Sequence, residues 1–450
     1  MALVRKGLIA IAGTTGVGKS QLAIEVARAL NGEVINADAM QVYRGYDIIT
    51  NKVGPDEMQG VQHRLLGTVD SAREYTVHDF ERDALAAIGD IHGRDKVAVL
   101  VGGTNYYMQS VMFNKSLISE AGRDAGSGVP VRAGAFGKQW QDRTSEELWN
   151  ELREKDPVMA EKWHPNDRRK VLRALEVLHT TGRRHSEWIR ESEQARAAED
   201  TLRFPTLVLW LHADPAALNP RLDVRVDAMV ERGLLDEVRQ LAAEFGDPAT
   251  LDFTVGLRQA IGFRELAPCL RGDAIDTQLQ QAGIVAMKAA TRRYAKRQVL
   301  WLRNKLLPAC RATLGKPGQL RADVYVLDAT DLGAWDTAVR DTAITIARQF
   351  VSGHAMPAPE SLSAAAAAVL ATAKDTPGSA LDVRRHRCDV CSQCAATAAA
   401  DGAAHDVWLF GDDEYQQHLR SRRHRKNTGH LRRVASGDLW PRKQAKTTDE

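Results

Sequence analysis

The run Gly13-Thr14-Thr15-Gly16-Val17-Gly18-Lys19-Ser20 has the spacing G-x-x-x-x-G-K-[ST]. It follows a short apolar strand expected over 7–12 and opens an amphipathic helix expected from about Lys19 to Leu30, which is the context the motif needs. A loop of this kind turns several backbone N–H groups toward one anion, and the helix N-terminus adds partial positive charge. Lys19 brings a full charge, and Ser20 a hydroxyl suited to Mg²⁺. The chemistry is binding of a di- or triphosphate, and the motif does not choose between them.

A second signal argues against an ordinary NTPase or kinase. Phosphoryl transfer usually places a metal-binding acid at the end of an apolar strand, yet the strand expected over 96–101 ends in Gly102-Gly103-Thr104. An acid instead follows the strand expected over 33–36, in Asn36-Ala37-Asp38-Ala39-Met40-Gln41. Ligands of a parallel sheet sit at the strands' C-terminal edge, so Asp38 and the phosphate loop face one crevice. From the residues alone, two readings of Asp38 stand side by side, a reactive carboxylate and a helix cap.

These groups need a scaffold. Strands expected at 7–12, 33–36, 96–101, 207–211 and 324–327 alternate with helical stretches, including 222–245 and 278–306. The pattern is that of an α/β fold: a P-loop NTPase-like core with a parallel sheet and helices on both faces. The expected core runs over 1–113 and 205–352. Residues 114–204 are polar, rich in Arg, Glu and Trp, and without a convincing strand, so they read as a helical insertion domain. An Ala/Pro/Ser-rich linker is expected over 353–383, a small Cys/His unit over 384–430, and a basic tail over 431–450.

Composition narrows the class. With 450 residues, 44% apolar, 26% charged and a net charge of +3, the chain reads as a soluble globular protein of several structural units. No apolar run approaches the roughly 20 residues of a membrane span. Only six residues precede the first strand, which leads us to expect no signal peptide.

Three of the five cysteines lie within seven positions, a metal-site pattern rather than a disulfide framework. Cys388-x2-Cys391 is followed by His418-x5-His424 across the 26-residue spacer Ser392–Gln417, a Cys2His2 arrangement suited to Zn²⁺. Cys394 competes with Cys391 for the second sulfur position. Arg420, Arg422, Arg423, Arg425 and Lys426 crowd the second histidine, as in a phosphate-contacting helix.

The runs IAGTTGVGKS, INADAMQVYRGYDIITNK, VGGTNYY, HPNDRRKVLRALEV, RLDVRVDAMVERGLLDEV, QAIGFRE and RRYAKRQVLWLRN occur in that order. Together they resemble the tRNA dimethylallyltransferase (tRNA isopentenyltransferase) family, in its eukaryotic form with a C-terminal zinc finger, from Ile9 to about Lys426. The resemblance implies transfer of a dimethylallyl group from dimethylallyl diphosphate to N6 of the adenosine 3′ of the anticodon, with Mg²⁺ at the diphosphate. By resemblance, Asp38 is the general base, Arg225 a diphosphate-side arginine and Thr104 an active-site threonine. Gly13 to Ser20 would hold the diphosphate. Ala39, Met40, Gln41, Gln259, Ile261, Gly262 and Phe263 match RNA-contacting stretches. Basic positions Arg168 and Arg173 in the insertion, and Arg293, Lys296 and Arg297 near the core's end, would grip the anticodon stem-loop. The expected protein is a cytoplasmic monomer, with mitochondrial and nuclear pools left open. The competing function is a P-loop nucleotide kinase with a fused RNA-binding finger.

Overall fold

A computed structural model describes residues 6–114, 140, 143–191, 202–248, 250–270, 276–314, 318–372, 385–398, 407–410 and 412–436. The chain divides into two compact units, Met1–Leu117 with Gln194–Gly378, and Ile118–Glu193 with Ser379–Glu450.

The first unit is built on a six-stranded sheet: β1 (Leu8–Gly13), β2 (Gly32–Asn36), β3 (His63–Arg64), β4 (Val97–Val101), β5 (Thr206–His212) and β6 (Ala322–Asp328). Their order is β3-β2-β4-β1-β5-β6, and every pairing is parallel. Strands covered on both faces read as continuous apolar runs, and β1 (LIAIAG) and β4 (VAVLV) are buried throughout. The pleat sends alternate side chains to opposite cores. Leu8, Ala10 and Ala12 join Phe80, Trp210 and Phe263 on one face, while Ile9 and Ile11 join Leu22, Leu209 and Phe350 on the other. The two-residue β3 is too short for a periodicity argument to find.

Helix α1 (Lys19–Ala29) leaves the loop after β1, α2 (Val77–Gly93) leads into β4, and α3 (Asn105–Met112) leaves the turn after β4. The long helix Thr277–Trp301 starts where Asp276 accepts from the N–H groups of Gln278 and Leu279. It passes through a π-helical turn at Leu302–Leu306 into the helix Leu307–Arg311. Pro308 supplies the cause, because it offers no N–H to the preceding turn and its ring crowds the carbonyl four residues back.

The described part of the expected linker is packed structure. Within 353–372, Tyr325 donates to Pro357 O (2.6 Å) and Arg311 to Leu370 O (2.7 Å). Ala366 and Leu370 of the helix Ala364–Ala371 are buried in the core. An alanine-rich run looks like a spacer by composition, yet it also packs closely wherever one leucine anchors it. The rest of the expected linker, 373–383, and the tail from 437 onward lie outside the described residues.

In the second unit, the helices Ser145–Lys155, Pro157–Lys162 and Arg168–Thr181 enclose Trp140, Leu148, Leu152, Met159, Val171 and Leu175. Thr144 and Glu147 form a capping box on the first of these helices. Buried Asp156 caps the second and accepts from Ser186 N (2.9 Å), so its carboxylate is fully occupied by structure.

Candidate active site

The phosphate loop has the backbone its sequence calls for. Gly13, Gly16 and Gly18 have φ of +151°, +77° and +96°, which side chains rarely tolerate. Gly16 also has no room, since a Cβ there would lie 2.4 Å from Leu222 Cδ2. Lys19 Nζ donates to Thr14 O at 2.6 Å. Burial lowers the Lys19 pKa to about 8, against the raising effect of nearby Asp38. Thr14 Oγ1 is buried without a partner, and Ser20 is exposed on the first turn of α1.

Asp38 sits just beyond β2, in a stretch that is not helical. It therefore caps no helix, and its Oδ1 accepts from Met40 N (3.0 Å) within its own turn. The turn after β4 comes up beside it. Ala37 N donates to Val101 O (2.7 Å) and Thr104 N to Ala37 O (3.2 Å), while Ala39 N donates to Thr104 Oγ1 (2.9 Å). Gly102 and Gly103 permit this approach: a Cβ on Gly102 would lie 2.1 Å from Ala37 O, and one on Gly103 3.2 Å from Asp38 Oδ2. The missing acid at the end of β4 thus has a physical reason. The position is used to pack against the strand that carries Asp38.

The helix Pro215–Glu231 brings Arg225 to the loop, where Nη2 donates to Thr15 Oγ1 (2.8 Å). Burial lowers the Arg225 pKa, with Asp38 acting the other way. Arg225 Nε is buried without a partner. The half-buried Arg225 guanidinium and the Asp38 carboxylate, both close enough to Lys19 for it to feel their charges, border a cavity of about 340 Å³. Thr15, Asp38, Thr104 and Arg225 line it, together with apolar Ile49, Val226, Met229, Ala260, Ile261 and Met287. Such a cavity suits a small ligand with an anionic head and an apolar body.

Residues that sequence reasoning passed over complete the wall. Thr50, Asn51, Thr291 and Tyr294 line the same cavity. Gln298 takes Thr15 N–H on its Oε1 (2.8 Å) and gives Nε2–H to Gly103 O (2.9 Å). Met287, Thr291, Tyr294 and Gln298 are spaced i, i+4, i+7, i+11, one face of a helix. That period is present in the sequence, but the arginines between them carry the stronger charge signal.

The expected RNA-contacting residues differ in where the fold places them. Ala39, Met40, Gln259, Ile261 and Arg297 line the cavity, and Arg293, Lys296 and Arg297 are exposed on the long helix. Gln41 is turned inward, donating to Thr50 O (3.1 Å) and Asn51 O (3.0 Å), so it shapes the wall from behind. Phe263 and Gly262 need correcting as contacts. Phe263 is 0% exposed in the core, and Gly262 is a buried turn where a Cβ would meet Met287 Cε at 2.9 Å. Arg168, in the insertion, spends its guanidinium on Arg143 O and Trp140 O, both 2.6 Å. Arg173 stays exposed beside Glu176 (3.4 Å).

The chain matches the IPP transferase family model over residues 41–305. It is 38% identical to the tRNA dimethylallyltransferase of Saccharomyces cerevisiae, over 99% of this chain and 97% of that protein. The chain belongs to the tRNA dimethylallyltransferase family. It is also 37% identical to the Mus musculus member over 93% of this chain and 85% of that one. A crystal structure of a eukaryotic dimethylallyltransferase acting on tRNA superposes with a TM-score of 0.72 at 36% identity, covering 96% of this chain and 98% of that one.

The eukaryotic likeness extends to the C-terminal Cys/His unit. β7 (Arg385–Arg387) and β8 (Trp408–Phe410) form a two-stranded antiparallel pair, followed by the helices Asp412–Leu419 and Arg422–Ala435. The ligand atoms of Cys388, Cys391, His418 and His424 lie within 4.8 Å of one another. His424 Nδ1 is 3.4 Å from Cys388 Sγ, 3.8 Å from Cys391 Sγ and 3.3 Å from His418 Nε2. Tetrahedral Zn²⁺ with bonds of about 2.0–2.3 Å has ligand edges of roughly 3.3–3.8 Å. The residues fit the metal. Cys394 stands apart, its Sγ 3.7 Å from Asn427 O, whereas Asn427 Nδ2 donates to Cys391 Sγ (3.3 Å). Cys391 is therefore the better second sulfur ligand, with Asn427 supporting it from behind. Among the described residues, no helix is long and apolar enough to cross a membrane.

Proposed function

We propose that this chain transfers a dimethylallyl group from dimethylallyl diphosphate to N6 of the adenosine 3′-adjacent to the anticodon of tRNA. The observation that carries this reading is one cavity lined by both the Arg225 cation and the Asp38 carboxylate, with Lys19 of the phosphate loop within electrostatic reach of both. An adenine amine is a weak nucleophile because its lone pair is delocalised into the ring. Asp38 accepts the N6 proton as the N–C bond forms, which is worth roughly 10²–10⁴-fold. The allylic C–O bond breaks with its electron pair going to the diphosphate. Lys19, Arg225 and the loop N–H groups stabilise that charge, and partnerless Arg225 Nε and Thr14 Oγ1 are donors suited to it. Thr104 Oγ1 accepts from Ala39 N and is also hydrogen-bonded to the Tyr294 phenol, which fixes the hydroxyl at the cavity wall.

Ser20 would hold Mg²⁺, which supplies further charge neutralisation on the diphosphate when bound. The target adenosine must leave its stack to enter the cavity, with Arg297 at the cavity wall and Arg293 and Lys296 exposed on the same helix to take the backbone. The zinc unit presents exposed Arg420, Arg422, Arg423, Arg425 and Lys426, a basic face fitted to tRNA phosphates. The test is to incubate the protein with undermodified tRNA, dimethylallyl diphosphate and Mg²⁺, then to analyse nucleosides by mass spectrometry. N6-dimethylallyladenosine is the expected product; its absence, under conditions where a family member forms it, overturns the proposal.

A further inference from the structure

We propose that Gln298 is a positioning residue that locks the phosphate loop to the turn carrying Thr104, and thereby sets the distance between the two substrates. The inference rests on the dimethylallyl transfer proposed for the cavity.

Gln298 is 3% exposed and lies deep in the long helix. A buried primary amide must satisfy an oxygen and two N–H groups, so its placement carries information. Its Oε1 accepts from Thr15 N (2.8 Å), in the loop on which the diphosphate is to sit. Its Nε2 donates to Gly103 O (2.9 Å), in the turn beside the carboxylate. Asn105 Nδ2, at the start of α3, donates to Gln298 O (3.4 Å), which ties the helix backbone to the same turn. Gly103 is followed by Thr104, which fixes Ala39 through its Oγ1 (2.9 Å). One side chain therefore spans from donor loop to acceptor turn.

The convergence on Gly103 strengthens the assignment. A Cβ built there would lie 2.6 Å from Gln298 Nε2, 3.2 Å from Asp38 Oδ2 and 3.6 Å from Tyr294 Oη. The amide, the carboxylate and the phenol all face one point. The polarity of the amide is also dictated, because only an acceptor can face Thr15 N–H and only a donor can face Gly103 C=O. No other uncharged side chain of this length offers both. Displacement of a reacting group by about 1 Å is enough to cost on the order of a hundredfold in rate.

Two variants and one pH profile test this. Gln298→Met keeps the volume and loses both bonds. At saturating donor and tRNA, its single-turnover rate is expected to fall roughly a hundredfold, with tRNA affinity unchanged. Gln298→Glu keeps the shape. Its ionised form sets oxygen against Gly103 O and negative charge near Asp38, whereas its protonated form restores a donor at that position. Burial and the neighbouring carboxylate raise the pKa of that glutamic acid, so its rate relative to wild type should climb as pH falls from about 8 to about 6. Thermal melts establish that each variant is folded, and Gln298→Glu at low pH serves if Gln298→Met is not. A folded Gln298→Met within about threefold of wild type, or a Gln298→Glu ratio that is flat with pH, would overturn the role. Wild-type protein that forms no prenylated nucleoside would instead overturn the functional reading beneath it.

Discussion

Asp38 and Lys19 illustrate how little separates a structural residue from a reacting one. Asp38 follows the end of β2 and Lys19 opens α1, and both make bonds inside their own loops. What distinguishes them is the cavity that Asp38 lines and the charge that Lys19 feels from it. Asp38→Asn is nearly isosteric and keeps the acceptor for Met40 N, so fold and donor affinity should hold. The single-turnover rate should drop at least about a hundredfold, the lower range for loss of a general base. Near-normal turnover would return Asp38 to a turn-forming role. Lys19 leads to a pH prediction. With its pKa at about 8 in the free protein, it is largely charged below pH 8 and increasingly neutral above. An anionic diphosphate favours the charged form, so binding above pH 8 should take up a proton and weaken as pH rises. Calorimetric titration in two buffers of different ionisation enthalpy measures that uptake, and Lys19→Ala should abolish it. An uptake that persists in the variant would place the proton elsewhere.

At the scale of elements, the sheet's outer half is pinned by a charge cluster remote from the cavity. Glu33, at the start of β2, is 2% exposed and receives Arg64, Arg94 and Lys96 (3.2 Å for Arg64 Nε, 2.9 Å for Lys96 Nζ). Its bond to Arg94, helped by the other two cations, lowers its pKa to about 2. A carboxylate with a depressed folded pKa contributes stability that is present above its unfolded pKa of about 4.3. That stability is lost as pH falls toward the folded value. Glu33→Gln should therefore cost about 1–3 kcal/mol at pH 7, and the gap to wild type should narrow between about pH 4 and pH 2. Urea unfolding at each pH reads this directly, and a constant gap would assign the loss to packing. The partners are themselves half-exposed, which is why the expected cost stays below that of a fully buried network.

At the scale of the whole molecule, the Cys/His unit and the sheet unit differ in what holds them together. The sheet has two extensive apolar cores. Among its described residues, the Cys/His unit buries only Cys388, Cys391 and Leu409 as a core, too little to fold without a metal. Chelation of zinc, or His424→Ala, should therefore melt this unit while the sheet unit keeps its donor site. The expected phenotype is weaker tRNA binding, a transfer rate at saturating tRNA that changes far less, and a flatter plot of log affinity against log salt. Each lost phosphate contact should remove roughly 0.7–0.9 from that slope. Cys394→Ser should leave zinc stoichiometry at wild type; loss of metal there would replace Cys391 as ligand. Unchanged affinity and slope after chelation would show that the basic face meets something other than tRNA.

Much of this was legible along the chain. The strand–glycine-turn–helix order of 7–30 already implied an anion cradle, because a phosphate loop is a local structure whose residues are contiguous. The same is true of the Cys-x2-Cys and His-x5-His pairs, where spacing decides which side chains share a face. Asp38 was only half legible. Its position at a strand end was local, but its partner turn at Gly102–Thr104 is dozens of residues away, and only the parallel pairing of β2 with β4 brings them together. Phe263 and Arg168 looked like surface contacts because residue type and motif say nothing of burial, and tertiary packing withdrew one into the core and the other onto Trp140 O. Gln298 lay in plain view within a recognisable run. Its importance comes from bonds to residues 283 and 195 positions away, a relation that only the folded chain creates.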